Sequence, residues 1–200
     1  MKARVAILIS GAGSNMAALI EAQSADCPYE IVYVLSNKPD APGLDRARAL
    51  GVEALAVDQA PFGKDRAAHE AAVQAELAAR NIEWVALAGY MRLLTPEFVA
   101  RWQGRMINIH PSLLPKYPGL DTHRRALEAG DTEAGCTVHH VIAEMDAGPI
   151  IAQARVPVLA ADTPESLAAR VLEAEHRLYP AALADAIMAH EKGPRIAPEA

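Results

Sequence analysis

The run Arg4-Val5-Ala6-Ile7-Leu8-Ile9, followed at once by Ser10-Gly11-Ala12-Gly13-Ser14-Asn15 and then by Met16-Ala17-Ala18-Leu19-Ile20-Glu21-Ala22, decides how the chain is read. The apolar run reads as a strand, the small residues as a turn and the third piece as a helix. The turn also carries chemistry. Gly11 and Gly13 let the backbone approach a ligand, and Ser14 and Asn15 stand where helix N-caps are found. The free N–H groups and dipole of the following helix then form a candidate anion site, with phosphate as the natural occupant. The spacing is neither the dinucleotide fingerprint nor Walker A, because no third glycine and no Gly-Lys-Ser/Thr follows. A plain capped turn between strand and helix is the competing reading.

Outward from this unit the same alternation continues. Strands are expected at Glu30 to Ser36, Val52 to Val57 and Trp84 to Ala88, with helices at Leu44 to Leu50 and over 64–80. In the last of these helices Lys64, Asp65, Arg66, Glu70 and Glu76 read as a solvated face. Thr95-Pro96-Glu97 starts another helix, with Thr as cap and Pro in the first position. Strands alternating with helices imply right-handed crossovers and a mostly parallel sheet. Further on, Cys136 to Val141 and Ile150 to Val156 alternate like strands and lie so close in sequence that an antiparallel pair is expected. Thr163 and Pro164 open the last long helix. The expected fold class is therefore α/β, a Rossmann-like, mostly parallel open sheet with helices on both faces and an appended antiparallel strand pair. One domain over 1–200 is expected, with about 189–200 as a loose tail.

Polar residues interrupt the apolar pattern most tellingly in Met106-Ile107-Asn108-Ile109-His110-Pro111-Ser112-Leu113-Leu114-Pro115-Lys116-Tyr117-Pro118-Gly119. Asn108 and His110 are two apart in a strand-like run, so a period of two points both to one face. Pro111, Pro115 and Pro118 stiffen the loop into which the strand opens. An amide donor and a titratable imidazole at a strand's exit are placed as open α/β sheets place active sites. Asp146, in the connection Ile142-Ala143-Glu144-Met145-Asp146-Ala147-Gly148-Pro149, is a third candidate, with turn formation as its competing role. The loop Gly89-Tyr90-Met91-Arg92-Leu93-Leu94 is unusually apolar, either closing the core or walling a pocket for a flat ring.

The 200 residues, 52% of them hydrophobic, suit one compact core. Lys2 and Arg4 precede an apolar run far shorter than the ~20 residues of a membrane span, and no signal peptide is evident, so a cytoplasmic protein is expected. Cys27 and Cys136 lie far apart, without the spacing of a zinc site or disulfide framework, and no metal is expected. A net charge of -6 and a pI near 5.6 argue against a surface devoted to nucleic acid.

The segments Ser10 to Asn15, Asn108-Ile109-His110-Pro111-Ser112-Leu113-Leu114-Pro115 and Asp146-Ala147-Gly148-Pro149 together resemble the phosphoribosylglycinamide formyltransferases of purine synthesis, from Val5 to about Ala181. The resemblance implies transfer of a formyl group from 10-formyltetrahydrofolate, as co-substrate, to the amine of glycinamide ribonucleotide. It implies Asn108, His110 and Asp146 as catalytic residues, and Gly13, Ser14, Asn15 and Glu175 as binding residues for the ribonucleotide. The folate would lie against Arg66, Met91, Arg92, Leu93, Leu94, Asn108, Ile142, Ala143, Glu144, Met145 and Asp146. The chain departs from the resemblance at Asp121, where many relatives carry His. Small-molecule substrates, no nucleic acid, no membrane, and a monomer or homodimer are the implied associations. A formyltetrahydrofolate deformylase resembles the same domain but normally carries an extra N-terminal regulatory domain, whereas strand one here begins at Arg4. Methionyl-tRNA formyltransferase adds a C-terminal RNA-binding domain, for which this chain has neither the length nor the basic charge, and a non-enzymatic nucleotide-binding module would leave Asn108, His110 and Asp146 unexplained.

Overall fold

Seven strands form one sheet in the order β3-β2-β1-β4-β5-β6-β7 in the computed structural model, which describes residues 2–193. They are β1 (Ala3–Ile9), β2 (Tyr29–Ser36), β3 (Glu53–Ala56), β4 (Trp84–Leu87), β5 (Met106–His110), β6 (Glu133–His140) and β7 (Ile150–Pro157). The first five run parallel, β6 pairs antiparallel with β5, and β7 antiparallel with β6. The expected architecture is the one observed. After β3 the chain returns across β1 to place β4 on its other side, so the topological switch point lies between β1 and β4. Open α/β sheets bind ligands in the crevice at the carboxyl ends of such strands.

Alternate residues of β1 enter two separate cores, which is why Val5 to Ile9 are all apolar. Val5, Ile7 and Ile9 face α1 (Ser14–Glu21), α2 (Pro42–Ala49) and α6 (Pro164–Lys192), through Met16, Leu44 and Leu167 among others. Ala6 and Leu8 face α3 (Arg66–Ala79) and α4 (Pro96–Arg101), through Val73, Leu77, Phe98 and Val99. Helices on both faces leave no solvated side for polar residues in the central strands. The remaining helix, α5 (Thr122–Glu128), packs beside α6. No helix among the described residues is long and apolar enough to cross a membrane.

Local signals act largely as expected at helix starts. Thr95 accepts from the Phe98 N–H, and Thr163 shares a capping box with Ser166, each with Pro in the first turn. Three expectations are corrected. Ser14 and Asn15 do not cap α1: they lie inside its first turn, and the cap is Gly13 in a left-handed conformation (φ 68°). Glu70 is not on a solvated face. It is buried and accepts from both the backbone N–H and the hydroxyl of Thr95, tying α3 to the cap of α4. Residues 189–192 are helical, because α6 runs on to Lys192; residues 194–200 of the expected tail lie outside the described residues.

Gly135 in β6 gives the segment after β5 its seat. A Cβ there would sit 2.0 Å from the Ala154 carbonyl oxygen and 2.8 Å from Leu113 Cδ2. Backbone on one side and a packed leucine on the other leave it no room. Gly135→Ala is therefore expected to destabilise the fold by ~1–3 kcal/mol or more through overpacking. Urea unfolding measures this, and a variant within 0.5 kcal/mol of the parent, roughly the scatter of a neutral surface change, contradicts the close packing of β6, β7 and Leu113.

Candidate active site

Asn108 and His110 project from the same face of β5, opposite His139 and Thr137 of β6 in the antiparallel register. The connection after β6 does not stay at the strand end. It turns back over this face, and Gly148 passes so close beneath β6 that a Cβ would lie 1.8 Å from the His140 carbonyl oxygen. Asp146 adopts a left-handed conformation (φ 54°), one that aspartate tolerates better than most residues. Its carboxylate thereby reaches two imidazoles: Oδ2 lies 3.5 Å from His110 Nδ1 and Oδ1 lies 3.8 Å from His139 Nε2. Oδ2 also accepts from the Gly119 N–H at 2.9 Å.

Backbone partners fix which ring nitrogen does what. His110 Nε2 donates to the Tyr117 carbonyl oxygen at 2.9 Å, so Nδ1 is the nitrogen facing Asp146. His139 Nδ1 donates to the His140 carbonyl oxygen at 2.9 Å, leaving the Nε2 lone pair to accept from Asn108 Nδ2 at 3.2 Å. Burial holds the His139 imidazole below its ordinary value, consistent with that neutral, accepting role. The segment after β5 is braced separately. The Thr137 hydroxyl donates to the Ser112 carbonyl oxygen (2.7 Å) and accepts from the Leu114 N–H (3.0 Å) and from Gln153 Nε2 (2.9 Å). Tyr117, Asp121 and Asp146 all have positive φ. Such conformations cluster where a structure must aim particular groups.

The anion loop lies at the end of β1, one strand away across β4. With neighbouring strands ~4.8 Å apart, the ends of β1 and β5 are about 10 Å apart, a span suited to one small ligand. No side chain caps the first turn of α1, so its N–H groups stay free for an acceptor from outside the chain. Gly43 packs against the loop so closely that a Cβ would meet the Gly11 carbonyl oxygen at 2.7 Å. Asn15 Nδ2 donates to Glu175 Oε2 at 2.7 Å, joining the loop to α6 across 160 positions of sequence. Burial pushes the Glu175 carboxyl up, partly offset by that bond. Gly13, Ser14, Asn15 and Glu175 thus come together.

Between these two sites runs the loop after β4. Met91 is 68% exposed and Leu93 62% exposed, while Ile142, Ala143, Glu144 and Met145 are exposed on the loop that carries Asp146. Tyr90 and Leu94 of the same loop pack against the core, so the loop both closes the core and leaves apolar side chains uncovered beside buried polar groups. Arg66 is exposed at the first position of α3, and no hydrogen bond or ion pair joins its side chain to the other candidates. Asp121 precedes α5 as its N-cap without a side-chain bond to it, and lies 3.9 Å from Arg124. Among the described residues no group of three or more His, Cys, Asp or Glu side chains is placed to hold a metal ion.

The sequence reading missed His139, Thr137, the Tyr117 carbonyl and the Gly119 N–H. The two side chains could have been found, since a period of two puts Thr137 and His139 on one face of β6. The backbone groups leave no trace in residue type.

The Rossmann-like sheet, with Asn108 and His110 on β5, is that of a formyl transferase, and the chain belongs to that family, whose model matches residues 3–183. Phosphoribosylglycinamide formyltransferase of Escherichia coli (strain K12) is 47% identical over 177 residues, covering 88% of this chain and 83% of that protein. The trifunctional purine biosynthetic protein adenosine-3 of Drosophila pseudoobscura pseudoobscura is 49% identical over 184 residues, 90% of this chain. The chain spans only 13% of that protein's length. The crystal structure of phosphoribosylglycinamide formyltransferase from Brucella melitensis superposes with a TM-score of 0.87 at 54% identity, over 92% of this chain and 95% of that one.

The depressed affinity of His139 for protons has a thermodynamic signature. The unfolded chain takes up a proton at this position near pH 6.5, while the folded chain does so only at lower pH. Stability contributed by neutral His139 is therefore present above that value and lost as pH falls through and below it. The stability difference between the parent and His139→Gln is expected to shrink between pH 8 and pH 5 in denaturant titrations. A difference that is constant across that range rules out a neutral, buried His139.

Proposed function

We propose that this chain transfers the formyl group of 10-formyltetrahydrofolate to the amine of glycinamide ribonucleotide, in the cytoplasm, as a step of de novo purine synthesis. The observation that carries the reading is the convergence of Asn108, His110, His139 and Asp146 on one face of β5 and β6, beside both an uncapped helix start and an exposed apolar loop. The first-turn N–H groups of α1 take the phosphate, with Gly13 allowing close approach and Ser14 and Asn15 beside it. Glu175, positioned by Asn15, faces the glycinamide end. Met91 to Leu94 and Ile142 to Asp146 form the two walls for the pterin, and Arg66 meets the folate tail. The named relatives, a phosphoribosylglycinamide formyltransferase and trifunctional purine biosynthetic proteins, support the same substrates.

The reaction follows from the donors available. The amine attacks the formyl carbon, forming the new C–N bond while the carbonyl π pair moves onto oxygen. Asn108 Nδ2 has two N–H groups and commits one to His139, so the second is left for the developing oxyanion, together with protonated His110. Because His110 Nε2 is occupied by the Tyr117 carbonyl, proton movement uses Nδ1, the nitrogen that Asp146 faces. Collapse of the intermediate breaks the bond to the folate nitrogen, which receives the proton the amine gives up, through His110 Nδ1 or a water held by Asp146. No covalent link to the chain is needed, and formylglycinamide ribonucleotide and tetrahydrofolate leave.

Incubation with 10-formyltetrahydrofolate, with and without glycinamide ribonucleotide, tests the proposal: donor should be consumed only when the amine is present. Amine-independent consumption indicates a hydrolase instead, and no consumption rejects both. In that assay His110→Ala is expected to lower turnover by roughly 10²- to 10⁴-fold. Asn108→Ala should cost about 10²- to 10³-fold, and near-parental turnover in either variant defeats the assigned roles. Asp146→Asn should change the shape of the pH–rate profile, and an unchanged profile removes Asp146 from the proton path.

A further inference from the structure

In the loop from Gly89 to Leu94, Tyr90 and Leu94 pack against the core, but Met91 and Leu93 are exposed, so apolar packing does not fix the stretch from Met91 to Leu93. What holds it is a chain of polar groups buried beneath. The Gly89 carbonyl oxygen accepts from the Ser10 N–H at 3.1 Å, and the Met91 N–H donates to Ser10 Oγ at 2.7 Å. The Ser10 hydroxyl donates to Asn37 Oδ1 at 2.6 Å. Asn37, fully buried at the end of β2, donates through Nδ2 to Gln59 Oε1 at 2.7 Å, and the same oxygen accepts from Arg92 Nη1 at 3.0 Å. The relay leaves the loop at Met91 and returns to it at Arg92, passing through the ends of β1 and β2 and the segment after β3.

Each donor and acceptor has one consistent assignment. Arg92 has only donors, so Gln59 must present oxygen to it. Starting from there, the Gln59 oxygen must be met by Asn37 Nδ2, which leaves Asn37 Oδ1 to accept from the Ser10 hydroxyl while Ser10 Oγ accepts from the Met91 N–H. Arg92 Nε and Nη2 have no partner among the described residues, but every link of the relay pairs a donor with an acceptor, which fixes one arrangement, whereas a single reversed amide sets donor against donor. We propose that Ser10, Asn37 and Gln59 are positioning residues for the formyl donor: the relay holds Met91 and Arg92 in the geometry that binds 10-formyltetrahydrofolate. It rests on the reading of this loop as the donor's wall.

The variants separate hydrogen bonding from packing. Gln59→Leu keeps approximate volume and removes the shared acceptor, whereas Gln59→Glu keeps an oxygen for both Asn37 and Arg92. Asn37→Asp removes the donor to Gln59 and induces that amide to turn, which presents Nε2 to Arg92. For Gln59→Leu and Asn37→Asp the KM for 10-formyltetrahydrofolate is expected to rise about tenfold or more, in line with loss of a buried bond to a charged group. Turnover and the KM for glycinamide ribonucleotide should stay within about twofold, the spread expected when neither reacting group is touched. Gln59→Glu should restore near-parental values. Hydrogen exchange of the Met91 amide gives a readout free of activity: it should be protected in the parent and fast in Ser10→Ala, which removes its acceptor. Unchanged donor KM in Gln59→Leu, equal damage from Gln59→Glu, or a parallel rise in both KM values overturns the proposal. A parent that consumes no donor overturns the functional reading instead, and the Met91 exchange then still decides whether the relay holds the loop.

Discussion

A backbone carbonyl can only accept, and the Tyr117 carbonyl meets His110 Nε2 at 2.9 Å. That one contact commits a proton to Nε2, turns Nδ1 toward Asp146 and so determines which nitrogen is left for chemistry. Much of the surrounding structure keeps Tyr117 where it can do this. Asp131 accepts from the Tyr117 hydroxyl, and Arg125 donates to the Pro118 and Leu120 carbonyl oxygens. The Gly119 N–H, two residues on, binds the same Asp146 oxygen that faces His110. The loop therefore fixes the ring from one side and the carboxylate from the other.

The same economy of means operates across the sheet. Its central strands are enclosed by helices on both faces, where an unpaired polar group is costly, and the polar side chains around the site are joined in pairs. Asn108 is hydrogen-bonded to His139, Asn15 to Glu175, and Ser10 to Asn37. Every one of these pairs lies toward the carboxyl ends of the parallel strands or on the face reached from there. Tyr179 of α6 adds a buried hydroxyl that donates to the Leu87 carbonyl oxygen at 2.8 Å, anchoring the long helix to the end of β4. The helix carrying Glu175 is thus held to the strand that separates the two binding loops.

The architecture was legible because burial on both faces leaves a plain record in composition. Arg4 to Ile9 and Trp84 to Ala88 read as strands for that reason, and Thr95-Pro96 and Thr163-Pro164 gave helix starts through capping chemistry that is local. Asn108 and His110 were legible as a pair because a strand's period of two is also local. Glu70 misled because charge usually means exposure, and only the fold supplies Thr95 as a partner 25 residues away. Ser14 and Asn15 misled differently: residue type favoured them as caps, but the backbone turned at Gly13, where a left-handed conformation costs less.

By itself the sequence determined the order of strands and helices, the face shared by Asn108 and His110, and a family resemblance resting on separated motifs. Tertiary structure decided which nitrogen of His110 is free, that His139 accepts from Asn108, and that Asp146 reaches both rings. It also decided that Glu70 is buried. The physical reason is one of range. Periodicity, capping and turn preference are properties of neighbours along the chain, while a hydrogen bond between Asn15 and Glu175, or between His110 and a backbone carbonyl, depends on how β-strands and loops are brought together in space.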